Sequence, residues 1–502
     1  MCGSGTRWLL LCIISGIYSF SLADDWQVGP GGKPTRNSLS SESGPQTNAL
    51  LWQNGYSSVI AQQAVIDGNI VAMSRIFNIN NVLQGTKIVT QDLTTGDTLW
   101  TTILPVDFPA TDWRSRVSAF KDGILYATRA GNTNYSYMYA LNATDGSVFW
   151  KSEGLVNECS TEGASFASNG DLIVGNFDNI LRINYLDGTT VWQTNRSCPT
   201  SNGQEVAVYG SRGYYWEASP TGPMVSAIDL DTGEFLFSTD GGLTPGLIQQ
   251  VGLFIGPDGT IYAPRTMNNV TTDFLFALSD KGTYFEEKWS ILLGYVPFAT
   301  FGVGPDGTIY SYSQEDKVIR IDPLNGNILD TAEVVLGGDF SQPRIAIDAQ
   351  GFVFVTNGGF AGGALYSFNP DLTLRWSENI ANVNVGGPAI GNNGTLIVCG
   401  TGTDVRAYEG VGTGLKQNVS KSQLLVYPNP ADKYICVEFE SAENQGSVIE
   451  LFDCSGKKIF SKSCCKGCLN ETIDVNKMKP GIYLLEIINS GKIVKAQSII
   501  IK

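Results

Sequence analysis

One short phrase recurs along the chain and constrains it more than any other feature: an apolar strand, Asp or Asn, a Gly a few residues on, then an aromatic residue. It reads QDLTTGDTLW over Gln91–Trp100, ALNATDGSVFW over Ala140–Trp150, NYLDGTTVW over Asn184–Trp192 and AIDLDTGEFLF over Ala227–Phe237. Degenerate copies follow at Ala277–Trp289, Arg320–Asp330 and Ser367–Trp376. Asp-Gly and Asn-Gly supply the positive φ of a tight hairpin turn, and the aromatic sits in the returning strand. A second phrase lies upstream of most copies, GPDGTIY at Gly256–Tyr262 and again at Gly304–Tyr310, with looser forms at Lys121–Tyr126, Ser168–Val174, Ala349–Val355 and Asn392–Val398. Each unit is therefore four short strands joined by turns, the pattern of a propeller blade.

Anchor positions fall at 100, 150, 192, 237, 289, near 329 and at 376, a steady blade-sized period. Gly386–Gly410 has three strands and no closing aromatic, whereas Leu50-Leu51-Trp52 has the aromatic and no strands before it. Joining them makes one more blade, whose outer strand comes from the N-terminus and hides sheet edges that an open array would expose. The prediction is an all-β chain: an eight-bladed β-propeller over 48–410, with seven blades as the alternative count, then a small antiparallel β-sandwich.

The phrases resemble the Trp-docking repeats of the pyrroloquinoline-quinone-like propeller superfamily. The resemblance implies that Trp52, Trp100, Trp150, Trp192, Trp289 and Trp376 dock neighbouring blades rather than bind a ligand. That superfamily includes quinone-dependent alcohol dehydrogenases, which cap their cofactor with a disulfide between adjacent cysteines and hold calcium beside an Asp. Here the only adjacent cysteines, Cys464 and Cys465, lie in the C-terminal tail outside the repeats. No cofactor is expected, neither pyrroloquinoline quinone nor calcium.

Both ends read as addresses. Residues 1–23 have Arg7, an apolar stretch from Trp8 to Phe20 and a small-x-small site at Ser21-Leu22-Ala23, the layout of a secretory signal. Residues 24–47 form an N-terminal extension, 411–423 a polar linker and 424–502 a separate domain. The last contains LVYPNPADKYICV (Leu425–Val437), FDCSGKKIF (Phe452–Phe460), IDVNKMKPGIYLLEI (Ile473–Ile487) and VKAQSIIIK (Val494–Lys502). These phrases resemble the type A C-terminal sorting domain of the Bacteroidetes type IX secretion system, with Pro428, Asn429, Pro430, Gly456, Gly481 and Tyr483 carrying the match. The resemblance implies outer-membrane secretion machinery as a partner and a secreted or cell-surface protein. The tail's Cys436, Cys454, Cys464, Cys465 and Cys468 depart from a family pattern poor in cysteine.

Chemistry is sparse. The 502 residues include no histidine, so no Ser-His-Asp or Cys-His site and no imidazole metal ligand can form. A net charge of −15 argues against nucleic acid, and no further segment is apolar enough for a membrane span. Segments preceding the inner strands collect Arg114, Arg116, Glu158, Glu162, Glu205, Gln250, Gln342 and Arg344, which would ring one mouth of a central channel. Cys159 and Cys198 precede neighbouring inner strands and are candidates for a disulfide; no metal site is expected. No catalytic residues are evident. The reading is a binding or scaffold module for an extracellular protein or glycan. A quinone- or calcium-dependent oxidoreductase, or a carboxylate-based polysaccharide hydrolase or lyase, is the alternative.

Overall fold

The repeats fold as sheets of short antiparallel strands, as their turn chemistry demands. The computed structural model describes residues 26–501 except 56–62, 80–81, 109–114, 131–134, 158–162, 200–204, 218–222, 240–246, 249–251, 267–272, 295–299, 338–342, 360–361, 384–385, 401, 403, 411–424, 428–430, 432, 439–447, 454–456, 465–469 and 490–491. Two compact units emerge, residues 1–413 and 414–502.

In the first unit eight antiparallel sheets follow one another, consistent with eight blades. The first is Val65–Asp67, Ile70–Ile79, Val82–Asp92 and Thr98–Thr102. The second runs from an inner strand, Arg116–Lys121, to an outer one, Val148–Val156; the third from Ser165–Phe166 to Thr190–Asn195; the fourth from Ala207–Tyr209 to Phe235–Ser238. The fifth runs from Phe254–Ile255 to Phe285–Gly294, the sixth from Gly302–Val303 to Ile328–Thr331, and the seventh from Arg344–Ile347 to Leu374–Ile380. The eighth combines Gly387–Ile390, Leu396–Cys399 and Asp404–Tyr408 with the N-terminal strand Leu50–Gly55, paired antiparallel to Asp404–Tyr408. The inner strand of the first sheet packs against that of the eighth, which closes the ring.

Burial follows position. Inner strands such as Arg344–Ile347 are buried throughout, whereas the outer strand Thr190–Asn195 alternates half-buried and exposed residues. Among the described residues the sole helical element is a one-turn 3₁₀ segment, Asn392–Gly394.

The second unit is a sandwich of a three-stranded sheet (Leu425–Tyr427, Tyr434–Glu438, Asn470–Asp474) and a four-stranded one (Lys458–Ser463, Val448–Phe452, Gly481–Asn489, Lys492–Ile501). Ile435, Val437, Ile473, Ile449, Leu451, Leu485 and Ile499 fill the space between them. Alternation along each strand sends these side chains inward, as period-2 patterning requires.

Candidate functional site

The sheets are joined by one repeated contact. The indole N–H groups of Trp52, Trp100, Trp150, Trp192 and Trp289 donate to the carbonyls of Leu93, Ala143, Tyr185, Leu230 and Pro323 at 2.7–2.9 Å. Each acceptor is the second residue of the Asp/Asn-x-x-x-Gly turn in the next sheet. The turn's Gly, at positive φ, lies flat beneath the indole: a Cβ on Gly96 would come within 2.5 Å of Trp52. Positive φ and the ring together leave room for glycine alone. Trp376 packs instead against the rings of Phe354 and Tyr408.

The axis is filled by a segment that the sequence marks only as an extension. From Trp26 to Gly44 the chain crosses the inner strands in turn. Ile66, Phe120, Val208, Ile255, Val303 and Ile347 donate their amide hydrogens to the carbonyls of Trp26, Gln27, Pro34, Thr35, Asn37 and Ser38 at 2.7–2.9 Å. Arg36 reaches the third sheet through the Gly163 carbonyl and also donates to Pro30 and Val206. Gly44 caps the seventh by donating to Asp348 Oδ2 at 2.8 Å. An inner strand otherwise presents unpaired backbone donors towards the axis, and the segment satisfies them.

Of the eight residues expected at a channel mouth, Arg116, Glu205 and Arg344 are buried, at 0%, 1% and 1% exposure. They are interior rather than on a solvated rim: Arg116 and Arg344 open buried inner strands, and Glu205 faces Arg36 of the axial segment. Arg114, Glu158, Glu162, Gln250 and Gln342 lie outside the described residues. Glu205 accepts from the Gly252 amide. Burial pushes its carboxyl up, and Arg36 and Arg344 pull it back. Burial likewise pushes Arg344 down to about 10, opposed by Tyr312 and Glu205. Arg116 donates to the Ala130 carbonyl. These groups hold strands and segment together.

An open polar concavity lies between the fourth and fifth sheets, where the docking contact fails. Phe237 replaces Trp and packs edge-on to Phe285, 4.8 Å between centroids. The opposing turn is shortened to Asp280-Lys281-Gly282. Beside it opens a cleft of about 510 Å³, lined by Tyr209–Arg212, Tyr214, Asp258–Thr260, Ser279, Asp280, Gly282 and Lys288. That volume falls within the roughly 300–1,000 Å³ of small-molecule sites.

Two bonded groups build its walls. Arg212 Nη1 donates to both Asp280 oxygens at 2.6 and 2.5 Å, and Tyr214 Oη and the Gly282 amide add bonds of 2.7 and 2.6 Å. Lys288 Nζ donates to Thr260 Oγ1 at 2.9 Å and lies 3.4 Å from Asp258 Oδ2, which also accepts from Thr260 Oγ1 at 2.7 Å. For both carboxyls burial works against ionisation, but hydrogen bonds outweigh it: Arg212 and Tyr214 hold Asp280, and Thr260 and Lys288 hold Asp258, below the usual range. Tyr209 forms the rim, its ring lying over Gly259. The sequence marked this copy of the repeat as degenerate and did not connect that with a site.

Cys198 is a free thiol, so the disulfide expected with Cys159 is not formed there; Cys159 lies outside the described residues. The segment just before Cys198 is tied to the ends of second strands: Arg196 donates to the carbonyls of Asn176 and Trp216, and the Ser197 amide to Glu217. Cys399 is buried, and Cys464 is half-buried. Among the described residues no group of three or more Cys, Asp or Glu could hold a metal ion. In the tail, Tyr483 is buried and donates to the Lys479 carbonyl at 2.7 Å, and Gly481 opens the same strand. Pro428, Asn429, Pro430 and Gly456 lie outside the described residues.

Successive four-stranded sheets docked through Trp and turn glycines define a β-propeller of the pyrroloquinoline-quinone-like class. Residues 84–243 match the family model for outer membrane protein assembly factor BamB. More particularly, residues 425–502 match the secretion system C-terminal sorting domain, so the chain is a propeller exported by the type IX route to the cell surface or beyond. No curated protein sequence matches the chain. Among solved structures, the quinohemoprotein alcohol dehydrogenase of Comamonas testosteroni is similar at 14% identity and TM-score 0.54, over 81% of this chain and 83% of that one. The computationally designed Ika8 protein is similar at 15% identity and TM-score 0.52, over 72% of this chain and all of the other. At such identities the likeness is one of fold alone.

Proposed function

We propose that the protein is a binding module working outside the cell, its export begun by a signal over residues 1–23 and completed through the sorting tail, with its ligand held between the fourth and fifth sheets. One observation carries this reading: both carboxylates of the cleft are engaged by fixed donors, Asp280 by Arg212, Tyr214 and the Gly282 amide and Asp258 by Thr260 and Lys288. A glycoside hydrolase needs one carboxyl kept protonated as general acid beside one kept ionised. Asp258 and Asp280 are both tuned the same way, towards permanent acceptors. Such a pair orients hydroxyls or amides without delivering a proton.

The test is to present the full mature chain with immobilised glycans and extracellular proteins and to analyse each captured ligand afterwards by mass spectrometry. Binding with the ligand recovered intact is the expected result. Shortened glycan or unsaturated sugar ends would mark a hydrolase or lyase and overturn the reading.

A further inference from the structure

We infer that the cleft between the fourth and fifth sheets is a binding site for an uncharged saccharide chain, an assignment that rests on the binding-module reading and narrows it. Three observations point the same way. The charges cancel, Arg212 and Lys288 against Asp258 and Asp280, and each cation already lies against a carboxylate. An anionic ligand would meet Asp258 and Asp280, and a cationic one Arg212 and Lys288. Neither sign of charge is favoured.

The lining alternates donors and acceptors. Ionised Asp258 and Asp280 accept, Lys288 and Arg212 donate, and the hydroxyls of Ser211, Thr260 and Ser279 do either. Sugar hydroxyls, which both donate and accept, match such a set. An apolar ligand would cover these polar groups without offering them a bond in place of water.

Tyr209 supplies the flat apolar surface that a pyranose face requires. The residue is 41% exposed at the rim, and its hydroxyl donates to the Pro257 carbonyl at 3.3 Å. Gly259 lies so close under the ring that a Cβ there would come within 2.9 Å of it. The platform is thus set before any ligand arrives. Aromatic residues with one apolar face and one anchored polar tip suit such contacts.

The cleft is lined by the turn residues Gly210, Ser211 and Asp258–Thr260 together with Tyr209, Arg212, Tyr214, Ser279, Asp280 and Lys288 on the flanking strands. The site also lies off the axis, at the junction where Phe237 and the shortened Asp280–Gly282 turn have displaced the docking Trp.

The test is isothermal titration of the full mature chain with uncharged oligosaccharides (gluco-, xylo- and manno-configured hexamers) and acidic ones (oligogalacturonate, oligomannuronate). Parallel titrations use Tyr209→Ala and Lys288→Ala. The expected result is binding of at least one uncharged series, weakened tenfold or more in each variant, with affinity little changed between about 50 and 500 mM salt. Lys288→Arg should recover part of the loss, because it restores a donor. Binding confined to the acidic series, or binding that neither variant weakens, overturns the cleft assignment and leaves the binding-module reading standing. Failure of both series to bind overturns the saccharide assignment and moves that reading to a protein ligand. Cleavage of the oligosaccharide overturns the binding-module reading itself.

Discussion

Trp52 donates its indole N–H to the carbonyl of Leu93 at 2.9 Å, and this bond joins the N-terminal strand of the eighth sheet to the turn of the first. The indole bonds of Trp100, Trp150, Trp192 and Trp289 each link one sheet to its successor. This one links the last sheet back to the first. Trp52→Phe, which keeps the ring area but loses the donor, should cost about 1 kcal/mol, and Trp52→Ala about 3–5 kcal/mol. Gly96→Ala should destabilise as well, since its φ is +73° and the new methyl would strike Trp52. Urea unfolding midpoints check all three.

The segment from Trp26 to Gly44 pairs the amide hydrogens of inner strands in six sheets. Hydrogen exchange at Ile66, Phe120, Val208, Ile255, Val303 and Ile347 should therefore be among the slowest in the chain. Deleting residues 26–44 should raise exchange at those amides by orders of magnitude. Arg36→Ala alone should cost about 3–5 kcal/mol, because it leaves Glu205 buried with less compensation.

The Asp280 carboxyl is held below its ordinary value of 3.8 by Arg212, Tyr214 and Gly282 against the pull of burial. A depressed native value adds stability above the unfolded value and loses it as pH falls through the native one. Asp280→Asn should thus be destabilised by roughly 1 kcal/mol at neutral pH, after allowance for solvent screening. The deficit should hold down to about pH 4 and shrink below it. Unfolding midpoints at pH 7, 4 and 2.5 would show this.

The tail sandwich holds Tyr483 by burial and by its bond to the Lys479 carbonyl. Tyr483→Ala should open its core and reduce export, and deletion of residues 425–502 should leave the propeller inside the cell. Fractionation of cells and medium measures both.

Much of the architecture was legible because its causes are local. The Asp-Gly turns, the returning Trp and the orphan Leu50-Leu51-Trp52 each carry their own geometry, so the sheets and their closure follow from short phrases. The axial segment escaped notice because its bonds run from backbone carbonyls to distant strands, and GPGGKPTRNS carries no hydrophobic period that would signal them. Arg116 and Arg344 open inner strands and Glu205 lies just before one, and the sequence around them gives no sign that all three are buried. The cleft left a faint trace: the copy at Ala277–Trp289 has a shortened turn, and the preceding copy ends in Phe237 rather than Trp. A lapse in a packing repeat was readable, but the space it leaves required the fold.

The most direct measurement of the central claim is hydrogen exchange on the full mature chain with and without a saturating uncharged oligosaccharide found to bind it. The account predicts new protection in 209–214, 258–260 and 279–288 and none at Arg116, Glu205 or Arg344. Protection centred on those axial residues, with the cleft segments unchanged, would contradict it.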